Sequence, residues 1–217
     1  MARTAAGTSA KAATKTAAKR RQAVGEHKRA LILDAARRVF EREGLEGASL
    51  RAIAAEAGYT PAALYFHFDS KEAVYADLLT QSIDRLREAV DRAVAGAKDA
   101  PGRLEAAALA FFGFYALNPR DLDLGFYLFR GGMKPRGLGR ERNRLLNASF
   151  YAALEPVESA AVEMGAEREA ARRLAADILA HAAGLLLIAH TGRIRLFGAS
   201  AEDLMRGYVA ERVALLG

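Results

Sequence analysis

Ser49-Leu-Arg-Ala-Ile-Ala-Ala-Glu-Ala-Gly58-Tyr-Thr-Pro-Ala-Ala-Leu-Tyr65-Phe-His-Phe-Asp-Ser-Lys71-Glu72 is the stretch on which the fold turns. Ser49 is a good helix N-cap, and Leu50, Ile53, Ala54 and Ala57 then recur at helical spacing. The spacing predicts a short helix stopped by Gly58, which takes a positive φ at little cost. Thr60-Pro61 is a second cap with proline at the first helical position, opening a helix expected to reach about Phe68. Leu64 and Phe68 lie four apart on its inner side. Asp69, with Glu72 three residues on, reads as a capping box for a further helix. Val and Leu at 74, 78, 86, 90 and 94 carry that helix towards Gly96. Two short helices joined by a glycine turn of about three residues make a helix-turn-helix.

The second helix of such a pair turns its outer face to the DNA major groove. Here that face is Pro61, Ala62, Tyr65 and Phe66. It lacks guanidinium and amide groups, so bidentate readout of a base edge is not available from it. What remains is contact of Pro61, Ala62 or Phe66 with thymine methyls and a phosphate contact by the Tyr65 hydroxyl. Lys71, in the first turn of the next helix, is placed for a phosphate. Ser49 and Arg51 are candidates for the flanking backbone, and Thr60 and His67 complete the candidate DNA-binding set.

Upstream, Ile32, Ala35, Ala36, Val39 and Phe40 form an amphipathic helical stripe ended by Gly44. Before it lies a basic leader. Residues 1–30 hold eight Lys or Arg and one acid, Glu26, whereas the other 187 residues carry 24 basic and 25 acidic groups. The overall charge of +6 is therefore a property of the leader, and a polyanion is the partner it suits. Rich in Ala, Thr and Lys and without an aromatic, residues 1–27 read as a disordered arm. Residues 11–29 are expected to raise DNA affinity through the minor groove or phosphates, against two blander readings, a solubilising leader and a transit peptide.

The segment from Lys28 to Leu79 closely resembles the DNA-binding region of the TetR/AcrR family of repressors. The resemblance rests on Phe40 and Gly44, Leu50-Arg51 with Ile53-Ala54, then Gly58, Ala63-Leu64-Tyr65, His67-Phe68, Ser70-Lys71 and Glu72, at fixed spacing. The chain departs from the family at Pro61 and Ala62, where a lysine or other polar residue followed by glycine is frequent, and at Phe66, where a second histidine or another polar or aromatic residue is frequent. These are base-facing positions, so the resemblance implies the binding mode and leaves the operator sequence open. It further implies an all-α chain of about nine helices. Residues 28–75 are then the DNA-binding domain, and 76–217 a helical domain that binds a small effector and dimerises through its last two long helices. A two-fold dimer demands a near-palindromic operator on double-stranded DNA.

The second region has its own pattern. Leu104, Ala108, Phe111, Phe112 and Tyr115 form one stripe, closed by Asn118-Pro119. A long helix kinked at Pro156 is expected from Glu141 to Met164, another from Glu167 to Thr191, and a last one capped by Ser200. Nine of the seventeen aromatics fall between Phe111 and Tyr151. With their polar ends they suggest an apolar cavity, and the candidate ligand set is Phe111, Tyr115, Phe126, Tyr127, Phe150, Tyr151, Asp177 and His181. Asp177 and His181, four apart on one helix face, are candidates to pair, although a satisfied core histidine is the favoured reading. Ala182, Ala183 and Gly184, with Leu204, Tyr208 and Val213, are candidates for the dimer seam, though ordinary packing within one chain explains them equally.

The exclusions are plain. With no cysteine there is no disulfide, thiolate metal site or cysteine nucleophile. His181 and His190 are nine apart and point to opposite sides of a helix, so no metal is expected. The Gly131–Gly139 segment lacks the order of a phosphate loop, no nucleophile elbow or HExxH occurs, and no enzyme or cofactor is expected. The longest apolar run, Ile178 to Ala189, is too short for a bilayer. The expected protein is a ligand-released repressor, cytoplasmic and associated with the bacterial nucleoid. The rivals are an architectural DNA-coating protein and a helical ligand carrier or enzyme with a vestigial helix-turn-helix.

Overall fold

The computed structural model describes residues 5–125 and 138–216, and among them are ten α-helices, one 3-10 turn and no strand. Two compact units divide the chain, Met1–Asp77 and Leu78–Gly217. The division expected from the sequence, at 75/76, lies two residues earlier.

The first unit begins with α1, Ala5–Gly47, whose helical geometry is broken at Gly44 (φ 72°, ψ 171°). The sequence reads residues 1–27 as a disordered arm; in this structure α1 is helical from Ala5. Absence of apolar surface to bury is a weak argument against helix where Ala, Lys, Arg and Gln dominate, since these have the strongest intrinsic helix preference. Packing starts later: Ile32, Leu33, Ala35, Ala36, Val39 and Phe40 are buried. They meet α2, Leu50–Ala57, and Phe40 sets its ring edge-on to Tyr75 at 5.3 Å. The short α3, Pro61–Tyr65, follows, then α4, Lys71–Ala95. Two boundaries differ from expectation. The α4 cap is Ser70, not Asp69: its Oγ accepts the Ala73 N–H at 3.1 Å and its carbonyl accepts that of Val74. α3 ends at Tyr65, because the His67 and Phe68 N–H groups both turn back to the Leu64 carbonyl, at 2.8 and 3.0 Å.

In the second unit α5 runs Ala100–Leu117, capped by Asp99, which accepts the Gly102 N–H at 2.8 Å. Then come α6, Pro119–Gly125, α7, Arg140–Ala152, α8, Glu155–Glu163, and α9, Arg168–His190. A 3-10 turn, Arg193–Phe197, leads into α10, Ala201–Ala214, capped by Ser200 as expected. The expected stripe, Leu104, Ala108, Phe111, Phe112 and Tyr115, is buried against Val157, Ala161, Ile178, Ala182, Met205 and Val209. The single kinked helix over 141–164 is corrected to α7 and α8. Pro156 has no N–H and its ring excludes the carbonyl four residues back, so α7 stops at Ala152 and the chain restarts with proline in the first turn of α8. Arg85 reaches the buried Asp121 at 2.6 Å and ties the second half of α4 to α6. Among the described residues α9 alone is long and apolar enough by composition to cross a membrane. In this fold its Ala171, Ala175, Ile178, Ala182, Leu185 and Leu186 are buried in the core of the unit.

Candidate nucleic-acid interface

Each local device anticipated between Ser49 and Lys71 has a physical counterpart. Ser49 Oγ accepts the Ala52 N–H at 3.1 Å and so supplies one of the partners that the first turn of α2 lacks. Leu50, Ile53 and Ala54 point inward. Gly58 is left-handed (φ 72°, ψ 25°), and the Gly58 and Tyr59 N–H groups close α2 on the Ala55 and Ala54 carbonyls at 3.2 and 2.9 Å. Thr60 Oγ1 accepts the Ala63 N–H at 3.3 Å. Three residues, 58–60, therefore separate α2 from α3.

Leu64 decides which way α3 faces. It is the buried residue of the helix, at 0% exposure, and draws its own side into the core. Pro61, Ala62 and Tyr65 consequently stand outward, with Tyr65 56% exposed and Phe66, just past the helix, 91% exposed. His67 is half-buried, its ring 6.5 Å from that of Phe66 and roughly perpendicular to it. Ser49, Arg51 and Thr60 are exposed on the same unit. Lys71 differs from the simplest expectation. Its Nζ donates to the Glu46 carbonyl at 2.9 Å, so it links the start of α4 to the end of α1 besides carrying charge.

Several positioning contacts had no signal in the periodicity. Arg38 and Arg42 both reach Glu56, at 2.7 and 3.3 Å, joining α1 to α2. The hydrogen bond from Arg38 in particular holds the Glu56 carboxyl below the usual carboxylate range, although these groups are solvated and the pairs add little stability. Arg29 pairs with Asp77 and lies over the Phe68 ring at 4.5 Å. Charge alternation identifies such residues as exposed, but their partners come from distant turns.

The described candidate ligand residues of the second unit fall into separate groups. Phe111 and Tyr115 are core, packed edge-to-face at 5.3 Å, and Phe150 joins Phe111 at 5.8 Å. Burial, with Asp121 nearby, pushes the Tyr115 hydroxyl far above its ordinary value, so it stays neutral. Tyr151 lies at the surface, donating to the buried Glu158 and accepting from Arg172 at 3.2 Å. Asp177 accepts from Tyr208 on α10, and His181 stacks on the same Tyr208 ring at 3.8 Å. In place of the candidate Asp177–His181 pair, both residues contact one tyrosine. Phe126 and Tyr127 lie outside the described residues. An open cleft of about 420 Å³ does exist in this unit, lined by Phe112, Leu117, Leu186, Ala201, His190 and Arg206 among others. Sequence periodicity favoured large aromatics. The cleft is walled mainly by aliphatic residues and Phe112, with the polar side chains His190, Glu202 and Arg206 among its lining.

Residues 32–78 match the model described as "Bacterial regulatory proteins, tetR family". The HTH-type transcriptional activator FasR of Mycolicibacterium smegmatis is 37% identical over 89 residues, 41% of each chain. The HTH-type transcriptional repressor KstR2 of Rhodococcus jostii is 37% identical over 79 residues, 36% of this chain and 39% of that one. The chain thus spans about two fifths of the length of these relatives. Beyond the matched segment the likeness is one of fold. The regulator FadR from Bacillus subtilis, solved with stearoyl-CoA, superposes with a TM-score of 0.63 at 17% identity, covering 84% of this chain and 96% of that one. The matched segment lies on the helix-turn-helix just described, and there the chain is similar to the tetR family of bacterial regulatory proteins.

Proposed function

We infer that the protein is a ligand-responsive transcriptional repressor that binds a near-palindromic operator as a homodimer and is released by a small, largely apolar effector. The observation that carries the reading is the outward face of α3. A phenylalanine 91% exposed just past a short helix, beside a tyrosine 56% exposed on it, with the helix held by its Thr60 cap and one buried leucine, leaves apolar surface in water. Duplex DNA offers cover for both: thymine methyls for Phe66, Pro61 and Ala62, and a phosphate for the Tyr65 hydroxyl. Ser49, Arg51, Thr60, His67 and Lys71 frame that face.

KstR2, named a repressor, supports the sign of the regulation, while FasR, named an activator, is the contrary precedent. The effector is assigned to the cleft bordered by Phe112, Leu117 and Leu186, with His190 and Arg206 as orienting groups. FadR's complex with stearoyl-CoA supports an apolar chain as the class of ligand. For the dimer, α9 and α10 offer the exposed Leu187 and Leu204, with Leu215 just past α10 and Gly184 also open. Ala182 faces its own core and is withdrawn from the seam. The site of action is the nucleoid, in the cytoplasm. The test is a gel shift on the DNA upstream of the protein's own coding sequence. The intact chain retards it, Tyr65→Ala with Phe66→Ala does not, and retardation by both overturns the assignment.

A further inference from the structure

Among the described side chains before Ile32, α1 buries none. Before Ile32, Lys19, Arg20, Ala23, Val24, Glu26, His27 and Lys28 are exposed, and even Val24 is 49% exposed. From Ala5 to Leu31 the helix covers about 40 Å at 1.5 Å per residue. Arg29, paired with Asp77 and laid over Phe68, anchors the base of this extension to the unit that carries α3.

The charge on it is one-sided. Lys11, Lys15, Lys19, Arg20 and Arg21 face a single acid, Glu26, in the first 30 residues, while the remaining 187 are close to neutral. Lys11, Lys15 and Lys19 recur every four residues. On a helix this spacing sets like charges next to one another and weakens the isolated helix. A polyanion running along it reverses that cost. Residues 11–23 contain no apolar residue larger than alanine, so the segment lacks the face with which an amphipathic helix enters a bilayer.

We propose that residues 11–21 form a basic helical arm that lies along the phosphate backbone of the duplex beside the site read by α3. The proposal rests on the DNA-binding reading above and adds a second, sequence-independent contact. It compensates for a reading face that carries no cationic side chain. Each phosphate neutralised steepens the dependence of log K on log salt by about 0.9, which is about five-fold in affinity between 1 M and 0.15 M salt.

The experiment is fluorescence anisotropy from about 50 to 200 mM salt. It compares the full chain with its K11Q/K15Q/K19Q/R20Q/R21Q variant, in which glutamine keeps a comparable helix preference. The probes are a duplex of the protein's own upstream DNA, a scrambled duplex, a single-stranded RNA of the same length and phosphatidylglycerol vesicles. The salt slope is expected to flatten by about 2 to 4 on both duplexes. An unchanged slope on the duplexes overturns the proposal, as does a loss confined to the RNA or the vesicles. Failure of the α3 reading looks different: the two duplexes bind equally well, yet the variant still flattens the slope, and the arm stands without the specific site.

Discussion

Adding one methyl group at Gly58 and at Gly113 is expected to move stability in opposite directions. Gly58 is left-handed, and a Cβ built there meets no atom within 4 Å. The cost of Gly58→Ala is therefore conformational, roughly 1–2 kcal/mol for a left-handed L-residue. Loss of freedom in the unfolded chain offsets about 0.4–1 kcal/mol of it. The net, about 1 kcal/mol, corresponds to about a five-fold change in an opening equilibrium. Gly113 sits inside α5, where an added Cβ also meets nothing within 4 Å. There alanine gains roughly 0.5–1 kcal/mol in helix preference. Native-state hydrogen exchange by mass spectrometry reads each site separately, which suits a chain of two units. Gly58→Ala should lower protection about five-fold in peptides covering residues 50–68 and leave residues 100–117 alone. Gly113→Ala should raise protection over 100–117 about two- to five-fold. Unchanged protection over 50–68 in Gly58→Ala would refute the claim that a left-handed glycine fixes the angle between α2 and α3.

Three further outcomes are expected. Leu64→Ala, at the buried centre of α3, should cost about 2–5 kcal/mol of first-unit stability by urea titration, with little change in exchange over α8 and α9. Tyr65→Phe, on an exposed side chain, should leave stability within about 0.5 kcal/mol and weaken duplex binding about tenfold in anisotropy through loss of a hydrogen bond to a charged group. The third concerns His181, packed on Tyr208 and facing Asp177 and Arg212, with Glu211 acting on Tyr208; burial first and Arg212 second lower its pKa, Asp177 opposing. The unfolded chain takes up the proton first, so stability is full above the ordinary histidine range near about 6.5 and declines as pH falls through it towards the depressed folded value. His181→Phe, which keeps the stack, should abolish that decline in thermal melts recorded between neutral and mildly acidic pH.

The sequence was most legible where local chemistry decides the structure. Ser49, Gly58, Thr60-Pro61 and Ser200 each act through a backbone group within five residues, and each stands as read. The same is true of stripes such as Leu104 to Tyr115, where a repeat of 3.6 residues meets one core. Legibility failed where two local rules compete. Asp69 and Ser70 are both good caps, and only the arriving chain selects Ser70. Pro156 admits a kink or a break, and a break is what forms. The basic leader lacks apolar surface yet has the composition of a strong helix former, and α1 is helical from Ala5. Least legible was the effector region. Aromatic residues crowded in sequence proved to be core at Phe111 and Tyr115, surface at Tyr151, and in the case of His181 a partner of Tyr208, a residue 27 positions away.

The central claim is that the outer face of α3 reads base edges. Selection from a randomised duplex pool, run in parallel for the intact chain and for Phe66→Ser, tests it most directly. The account predicts that the intact chain enriches two inverted half-sites whose centres lie about one helical turn, roughly 34 Å, or a multiple of it apart. It predicts that Phe66→Ser relaxes the preference for thymine at one position of each half-site and leaves the spacing unchanged. No enrichment by the intact chain, or identical sites for both proteins, would contradict it.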